Sequence, residues 1–301
     1  MLRKWYRYWT ERRWTLGIAL NSLKGIMEGE DFRMQPLRLE VEGHWFADPF
    51  ILLQDEKRLV LLAEDFDIKK GYGCISRLCF DAQTLELQER KVVLDLGKHI
   101  SFPFILKTEK GFVMVPECST HGRQYFYELD AEGEQCREIA RIEGVEWSDA
   151  VIEKGPHGWL LYCMEPPQIN GQELHVYALS EDFKQATFVE ERVFEENIAR
   201  MGGDFFTYKR KKYRPAQFCN HYYGEGISIQ TMDGKEVRRL FSPLSEWPIG
   251  PHTFQVGKDL IVVDMCRFVH PCIGKILYRL AHIIILPRNT QKTRKELKSE
   301  M

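Results

Sequence analysis

The chain has 301 residues, 29% of them charged, and a formal net charge of −2. A closed all-β architecture can use this length as a single domain. Because positive charge is not in excess, the composition argues against a nucleic-acid partner. No run approaches the roughly 18 apolar residues that a membrane-spanning helix needs, so no such helix is expected.

The first 40 residues are predicted to precede the main domain as a segment of their own. Charged residues lie where the apolar part of a secretory signal would be, so export by that route is not expected. The mixture of basic and aromatic residues suits a membrane headgroup interface and hence a peripheral membrane contact. A packed helix, or a strand at 13–18 that closes the main domain, explains the same aromatic residues and is the interpretation we favour. These aromatic residues are Trp5, Tyr6, Tyr8, Trp9 and Trp14.

Five similar segments follow, each made of an apolar run, a tight turn and a second apolar run. They begin 47 to 55 residues apart. Their sequences are DPFILLQDEKRLVLLAE (48–64), FPFILKTEKGFVMVPE (102–117), DAVIEKGPHGWLLYCME (149–165), DFFTYKRKKYRPAQ (204–217) and HTFQVGKDLIVVD (252–264).

Each of the first four segments is followed by a second pair of short runs, as in GCISRLCF before the turn DAQT. Four strands per unit of about 50 residues is the pattern of a propeller blade. We therefore predict an all-β fold, a five-bladed β-propeller over residues 41–287, followed by a basic tail at 288–301. A β-sandwich or a β-helix with accidental similarity between hairpins is the alternative.

Polar residues recur at equivalent positions of the five segments. In a propeller the innermost strand of each blade begins beside the central channel, so these positions converge on one funnel. Carboxylates gathered there would push their pKa values apart and could supply an acid and a base. The alternative is structural, because an Asp at a strand start often accepts backbone N–H groups. The starts are Asp48, Phe102, Asp149, Asp204 and His252, and the second strands end at Glu64, Glu117, Glu165 and Gln217.

Eight cysteines are scattered singly, which is typical of buried thiols in a reducing compartment and predicts a cytoplasmic protein. The run Asp65-Phe66-Asp67 imitates the metal-nucleotide motif of glycosyltransferases, but its surroundings are predicted β-strands. Cys266, His270 and Cys272 lack a fourth ligand at a spacing typical of zinc. We expect neither a metal nor another cofactor.

Several short motifs occur together between residues 47 and 254. The motifs are Ala47-Asp48-Pro49-Phe50, Ala63-Glu64-Asp65-Phe66, Gly73 with Ile75-Ser76, His99-Ile100-Ser101-Phe102-Pro103, Pro116-Glu117, Arg200-Met201-Gly202-Gly203, Tyr213-Arg214-Pro215-Ala216-Gln217, Tyr223-Gly224 and His252-Thr253. In this combination the chain resembles the N-terminal domain of plant glucosamine inositolphosphorylceramide transferases and its bacterial relatives, a five-bladed propeller related to glycoside hydrolase family 43.

The resemblance to family 43 implies a general base at Asp48 and an orienting or pKa-tuning role for Asp149. The general acid of that family is a Glu at the start of the fourth blade, where this chain has Asp204, and the close relatives have Arg or Asn at that position. Glu117 is the alternative acid. The transferase activity of the plant proteins belongs to a separate domain and is not implied for this propeller.

Two functions are compatible with these features. The first is an enzyme that transfers or trims glycosidic bonds in polysaccharide or glycolipid biosynthesis, with Asp48 as base, Glu117 or Asp204 as acid and Asp149 tuning them. The second is a non-catalytic glycan-binding or scaffolding propeller that partners a glycosyltransferase, in which aromatic surfaces matter more. The residues expected to bind the saccharide or glycolipid are Glu64, His99, Ser101, Phe102, Trp147, Arg214, Gln217 and His252.

Overall fold

The structure, a computed structural model, describes residues 2–278 and 280. Strands dominate this part of the chain. The two named α-helices are α1 (Leu2–Trp9) and α2 (Leu23–Met27). The strands are β1 (Arg12–Ala19), β2 (Met34–Pro36), β3 (His44–Gln54), β4 (Arg58–Asp67), β5 (Tyr72–Asp81), β6 (Leu87–Leu94), β7 (Ser101–Thr108), β8 (Gly111–Glu117), β9 (Arg123–Leu129), β10 (Cys136–Glu143), β11 (Ser148–Gly155), β12 (Gly158–Met164), β13 (Glu173–Leu179), β14 (Ala186–Val193), β15 (Phe206–Tyr208), β16 (Lys211–Phe218), β17 (Gly226–Thr231), β18 (Glu236–Leu240), β19 (Phe254–Val256) and β20 (Ile261–Phe268).

These strands form five four-stranded sheets arranged as the blades of a propeller. Four blades each use four consecutive strands, namely β3–β6, β7–β10, β11–β14 and β15–β18. In every blade the first two strands coincide with one of the five repeated segments. The predicted all-β fold, a five-bladed β-propeller, is confirmed.

The fifth blade joins strands from distant parts of the sequence, in the order β19-β20-β1-β2. Residues of the predicted N-terminal segment 1–40 therefore supply half of a blade, and β1 includes the stretch 13–18 suggested as a closing strand. Gly17 and Ala19 of β1 pair with Pro36 and Met34 of β2. The boundary placed at residue 40 thus falls after two strands that belong to the propeller.

Apolar side chains fill the wedges between neighbouring blades. The largest cluster lies between the second and third blades and contains Phe102, Phe104 and Trp147. Other clusters lie between the first and second, the fourth and fifth, and the fifth and first blades. Because each side chain of a strand faces one of two neighbouring blades, most central strands are buried on both faces. This packing fixes the strand starts firmly around the axis.

The chain separates into two compact units, residues 14–265 and a second unit of residues 1–13 with 266–301. In the described part of the second unit, residues 271–278 are helical. The ring of His270 there lies 4.7 Å from the rings of Tyr8 and Trp9. Within the described residues, every helix is too short or too polar to cross a bilayer. The end of the predicted propeller at 287 and the basic tail at 288–301 lie outside the described residues.

Candidate functional site

The first strands of three consecutive blades contain the same backbone distortion in their N-terminal halves. Asp48, Phe102 and Asp149 have φ values of 51°, 42° and 48°, in the left-handed region that non-glycine residues rarely occupy. At each of these positions the pairing with the second strand of the blade shifts register, as in a β-bulge. Such strain costs about 1 to 3 kcal/mol per residue and is common at functional sites. The bulges hold three equivalent residues at one end of the propeller.

Asp48 is buried and contacts two other blades. Its Oδ2 accepts the backbone N–H of Phe102 at 3.2 Å, and its Oδ1 accepts the hydroxyl of Thr253 at 2.9 Å. The Nε2 atom of His252 lies 3.4 Å from Asp48 Oδ1. This carboxylate therefore joins the first, second and fifth blades.

His252 lies between two carboxylates. Its Nδ1 is 2.6 Å from Oδ2 of Asp264, and its ring stacks on Trp14 with centroids 4.0 Å apart. Asp264 also accepts backbone N–H groups from Asp48, His252 and Thr253, at 2.9 to 3.0 Å. The fifth blade thus supplies two side chains that contact Asp48, His252 at its carboxylate and Asp264 at its backbone N–H.

Asp149 is held by a buried cation. Arg200 binds it in a bidentate manner, with Nε to Oδ2 at 2.6 Å and Nη2 to Oδ1 at 3.0 Å. Gln217 donates to the same Oδ2 at 2.6 Å. The guanidinium of Arg200 also lies over the ring of Tyr223, 5.1 Å from its centroid. The negative charge of Asp149 is therefore balanced within the protein.

Two glutamates on the second strands of the first two blades complete the cluster. Glu117 is buried, and its Oε1 accepts the N–H of Ser119 at 3.2 Å. Glu64 is 5% exposed, and its Oε1 lies 3.7 Å from Nδ1 of His99. The side chain of His99 is 40% exposed, which makes it the most accessible of these groups.

The proton affinities within this cluster differ. Burial raises the pKa of Asp48 to about 7, with the charge of Asp149 adding to the shift and His252 opposing it. Burial also raises the pKa of Glu64 well above its usual range, and the charge of Asp48 raises it further. The pKa of Glu117 is raised by burial and by Asp149. The cluster can therefore hold protonated and ionised carboxyl groups side by side near neutral pH.

The charges of the fifth-blade pair reinforce each other. Burial alone would lower the pKa of His252, but Asp264 and Asp48 raise it overall. Burial alone would raise the pKa of Asp264, but His252 lowers it overall. The raised pKa of His252 and the lowered pKa of Asp264 both favour the charged forms of this imidazole and carboxylate.

Asp204 does not join the other predicted catalytic residues. Its Oδ1 accepts the N–H of Phe205 at 2.7 Å, and the nearest charges are those of Lys212 and Glu153. Burial raises the pKa of Asp204 to about 7. The structure thus brings together Asp48, Glu117 and Asp149 and leaves Asp204 between the third and fourth blades.

The predicted binding residues fall into two groups. Glu64, His99, Gln217 and His252 contact the carboxylate cluster or belong to it, and the buried Ser101 precedes the bulge at Phe102. Arg214 faces away, donating to the carbonyls of Ala199 and Ile198. Trp147 is 2% exposed and donates to Glu165 at 2.9 Å, while Phe102 is fully buried. These two aromatic residues form core packing, so neither offers a stacking surface to a sugar.

Sequence reasoning missed three members of the cluster, Asp264, Arg200 and Thr253. Asp264 ends the fifth repeated segment, in the same register as Glu64 and Glu117, and that register was the signal for it. Arg200 and Thr253 lie within the motifs that carry the family resemblance, but no residue spacing links them to Asp149 and Asp48. Their roles become visible only when the blades are assembled.

The carboxylate cluster does not fit a metal ion well. Ligand atoms of Asp48, His252 and Asp264 lie within 4.8 Å of one another. However, both oxygens of Asp264 already accept backbone N–H groups, and both oxygens of Asp48 accept hydrogen bonds. Hard cations need free oxygen lone pairs directed at a common centre. The donors here instead suit a hydrogen-bonded ion pair.

No protein-family model matches this sequence, and no curated protein sequence matches it significantly. Solved structures do match. A thermostable family-43 glycoside hydrolase is 15% identical over 75% of this chain and 85% of its own, with a TM-score of 0.52. An α-L-arabinofuranosidase from Lactobacillus brevis is 15% identical over 77% of this chain and 87% of its own, with a TM-score of 0.50.

What this chain shares with those structures is the fold. An exo-β-1,3-galactanase from Phanerochaete chrysosporium also matches, at 8% identity and a TM-score of 0.47, over 62% of this chain. This chain spans 46% of the length of that galactanase.

Proposed function

We propose that this protein acts on glycosidic bonds, transferring or trimming sugars in polysaccharide or glycolipid biosynthesis. The observation that carries the proposal is the buried cluster of carboxyl groups with separated proton affinities at the end of the propeller where the first strands begin. Glycoside chemistry needs one group that takes a proton and one that gives a proton. The resemblance to the propeller of plant glucosamine inositolphosphorylceramide transferases supports a biosynthetic context.

In this proposal Asp48 is the base and Asp149 tunes it. The acid is a buried glutamate of the same cluster, since Asp204 lies elsewhere. His99, at the accessible edge, is placed to contact sugar hydroxyls, whereas the fully buried Gln217 would act through Asp149, to which it donates. Asp48 must be ionised to act as a base, so we expect kcat/KM to rise as the pH increases through about 7.

The test is turnover of a panel of aryl glycosides, sugar nucleotides and glycolipids by the wild-type protein and by Asp48→Asn. We expect the variant to lose at least roughly 100-fold in kcat while binding of the same saccharide is retained. Glu165→Gln is a matched control, because Glu165 occupies the equivalent position after β12 but accepts hydrogen bonds from Trp147 and Tyr177. Equal turnover by the wild type and Asp48→Asn would contradict the proposed role.

A non-catalytic glycan-binding propeller that partners a glycosyltransferase is the second candidate. The tight bonding of Asp149 to Arg200, and of Asp48 to Phe102 and Thr253, favours it, since these contacts also serve a structural role. If the wild type binds a saccharide in these assays but neither it nor any variant turns the saccharide over, this second function is favoured.

We also propose a cytoplasmic location with a peripheral membrane contact. The eight cysteines, all within the described residues, form no disulfide, which suits a reducing compartment. Trp5 and Tyr8 of α1 are 52% and 56% exposed, as expected for residues that enter a headgroup interface. Sedimentation with anionic vesicles, compared between the wild type and Trp5→Ser/Tyr8→Ser, tests the contact.

A further inference from the structure

Glu64 differs from the other carboxyl groups of the cluster in lacking a donor. Its Oε1 is buried and has no hydrogen-bond partner among the described residues. A buried carboxylate oxygen without a donor is costly, and the cost is larger when the group is charged. The protonated form avoids most of this cost, because a neutral carboxyl group has no net charge to solvate.

The adjacent side chain, His99, cannot donate a hydrogen bond to Glu64 from Nδ1 while its ring is neutral. Nδ1 of His99 accepts the backbone N–H of Gly73 at 3.0 Å, so in the neutral ring the proton is on Nε2. Burial and His121 lower the pKa of His99, which favours this neutral ring. Oε1 of Glu64 and Nδ1 of His99 are therefore two acceptors 3.7 Å apart unless Glu64 carries a proton.

The backbone beside Glu64 leaves room for its carboxyl group. A Cβ atom on Gly73 would lie 2.5 Å from Oε1 of Glu64 and 3.0 Å from the carbonyl oxygen of Ile100. Glycine is needed here for space, since the position has no unusual φ. The absence of a side chain at Gly73, in β5, thus lets the carboxyl group lie next to the partly exposed ring of His99.

The side chains at the equivalent positions of the other four blades all make hydrogen bonds. Glu117 accepts the N–H of Ser119, and Glu165 accepts the indole N–H of Trp147. Gln217 donates to Asp149, and Asp264 accepts several backbone groups. Among these five equivalent residues, Glu64 is the one whose buried carboxyl oxygen is unpaired within the described part of the chain.

We infer that Glu64 is the proton donor of this site, delivering its proton to the leaving-group oxygen of a glycoside that enters past His99. The inference rests on the proposed function and names a residue for the acid step. Burial and the charge of Asp48 keep the pKa of Glu64 high, which is consistent with this role.

The proposed step balances. The proton of Glu64 moves to the glycosidic oxygen as the bond from that oxygen to the anomeric carbon breaks, and the leaving group departs as an alcohol. The oxygen of a water molecule or of an acceptor hydroxyl bonds to the anomeric carbon, and its proton moves to Asp48. Exchange with solvent returns Glu64 to its acid form and Asp48 to its base form.

Glu64 faces charges from every blade that borders it. Its electrostatic neighbours are Asp48, Glu117, Asp149 and Asp264, and His99 is the adjacent titratable ring. All four carboxylates oppose ionisation of Glu64. We therefore expect Glu64 to set the alkaline limit of the pH profile, while Asp48 sets the acidic limit.

The experiment compares glycosides that need a proton with glycosides that do not. Methyl glycosides and glycosyl fluorides of arabinose, xylose and galactose are offered to the wild type and to Glu64→Gln, Glu117→Gln and Asp48→Asn. For Glu64→Gln we expect a loss of roughly 100- to 10,000-fold on methyl glycosides but less than about tenfold on fluorides, with the alkaline limb of the pH profile abolished. Asp48→Asn should lose activity on both.

The outcomes separate this inference from the proposed function. Equal losses by Glu64→Gln on both substrates, or the selective loss appearing in Glu117→Gln, would overturn the role of Glu64 while Asp48 remains the base. No turnover of either substrate class by the wild type would overturn both. If Glu64→Gln fails to fold, infrared difference spectra of the wild type at pH 7 decide, since the inference requires the carbonyl band of a protonated, buried carboxyl group.

Discussion

Arg200 and Asp149 form a buried bidentate ion pair that borders the carboxylate cluster. Both side chains are more than nine-tenths buried, at 8% and 2% exposure. Arg200 further donates to the side chain of Asn170 at 2.6 Å. A buried ion pair adds little net stability, but removing one partner is strongly destabilising because the other charge stays buried without compensation.

We expect Arg200→Leu to destabilise the protein by about 3 to 5 kcal/mol, because it leaves the buried carboxylate of Asp149 without the opposite charge that balances it. The double variant Arg200→Leu/Asp149→Leu should recover part of this loss, since no charge remains unpaired. Urea unfolding of both variants beside the wild type measures the difference. A single variant as stable as the wild type would show that solvent already compensates Asp149.

At the scale of residues, register in the repeat predicts part of the cluster. Asp48, Asp149 and Glu117 were found because equivalent positions of successive blades must converge. Asp204 occupies a similar place in the sequence, but the fourth blade begins later, at Phe206. A Cβ on the preceding Gly203 would collide with the carbonyl oxygen of Phe254, so the chain packs closely against the fifth blade here. Such a shift in register has no signature in the spacing of the residues.

At the scale of elements, the hairpin of β15 and β16 has a turn whose backbone conformation does not suit its residue types. Its two turn residues, Lys209 and Arg210, have φ values of 47° and 64°. Two-residue hairpin turns with two positive φ values normally use Asn-Gly or Gly-Gly. Both side chains are exposed, so the turn carries backbone strain without an interior contact that would require these residues.

We expect Arg210→Gly to stabilise the protein by about 1 kcal/mol, because glycine adopts a positive φ without a clash of its Cβ. Arg210→Ala is the matched control, since it removes the same charge and side chain but keeps the Cβ. Thermal unfolding of the three proteins should show a higher Tm for the glycine variant alone. A higher Tm for both variants would assign the effect to charge and not to the backbone.

At the scale of the whole molecule, the repeat predicts the number of blades but not how the ring closes. Five hairpins at regular spacing are visible in the sequence, and each became the inner half of a blade. The fifth blade takes its outer half from β1 and β2, whose residues do not resemble the outer strands elsewhere. Only the requirement that every edge be paired indicates that an N-terminal strand must join the last hairpin.

Closure of the ring depends on a close approach at Gly17. This residue lies in β1 between β20 and β2, and pairs with Pro36. A Cβ here would collide with the Cε of Met265 and lie 2.6 Å from the carbonyl oxygen of Gln35. The methionine side chain can move, but the carbonyl belongs to the paired strand and cannot move without breaking the sheet.

We therefore expect Gly17→Val to destabilise the protein by about 2 to 3 kcal/mol. Because the fifth blade connects the first and fourth blades, the loss should lower the Tm of the main unfolding transition. Leu20→Val, at a 47% exposed position that follows β1, is the control and should change stability by less than about 0.5 kcal/mol. Calorimetry distinguishes the outcomes: an early, separate transition in Gly17→Val, with the main transition unchanged, would mean that four blades remain folded when the ring is open.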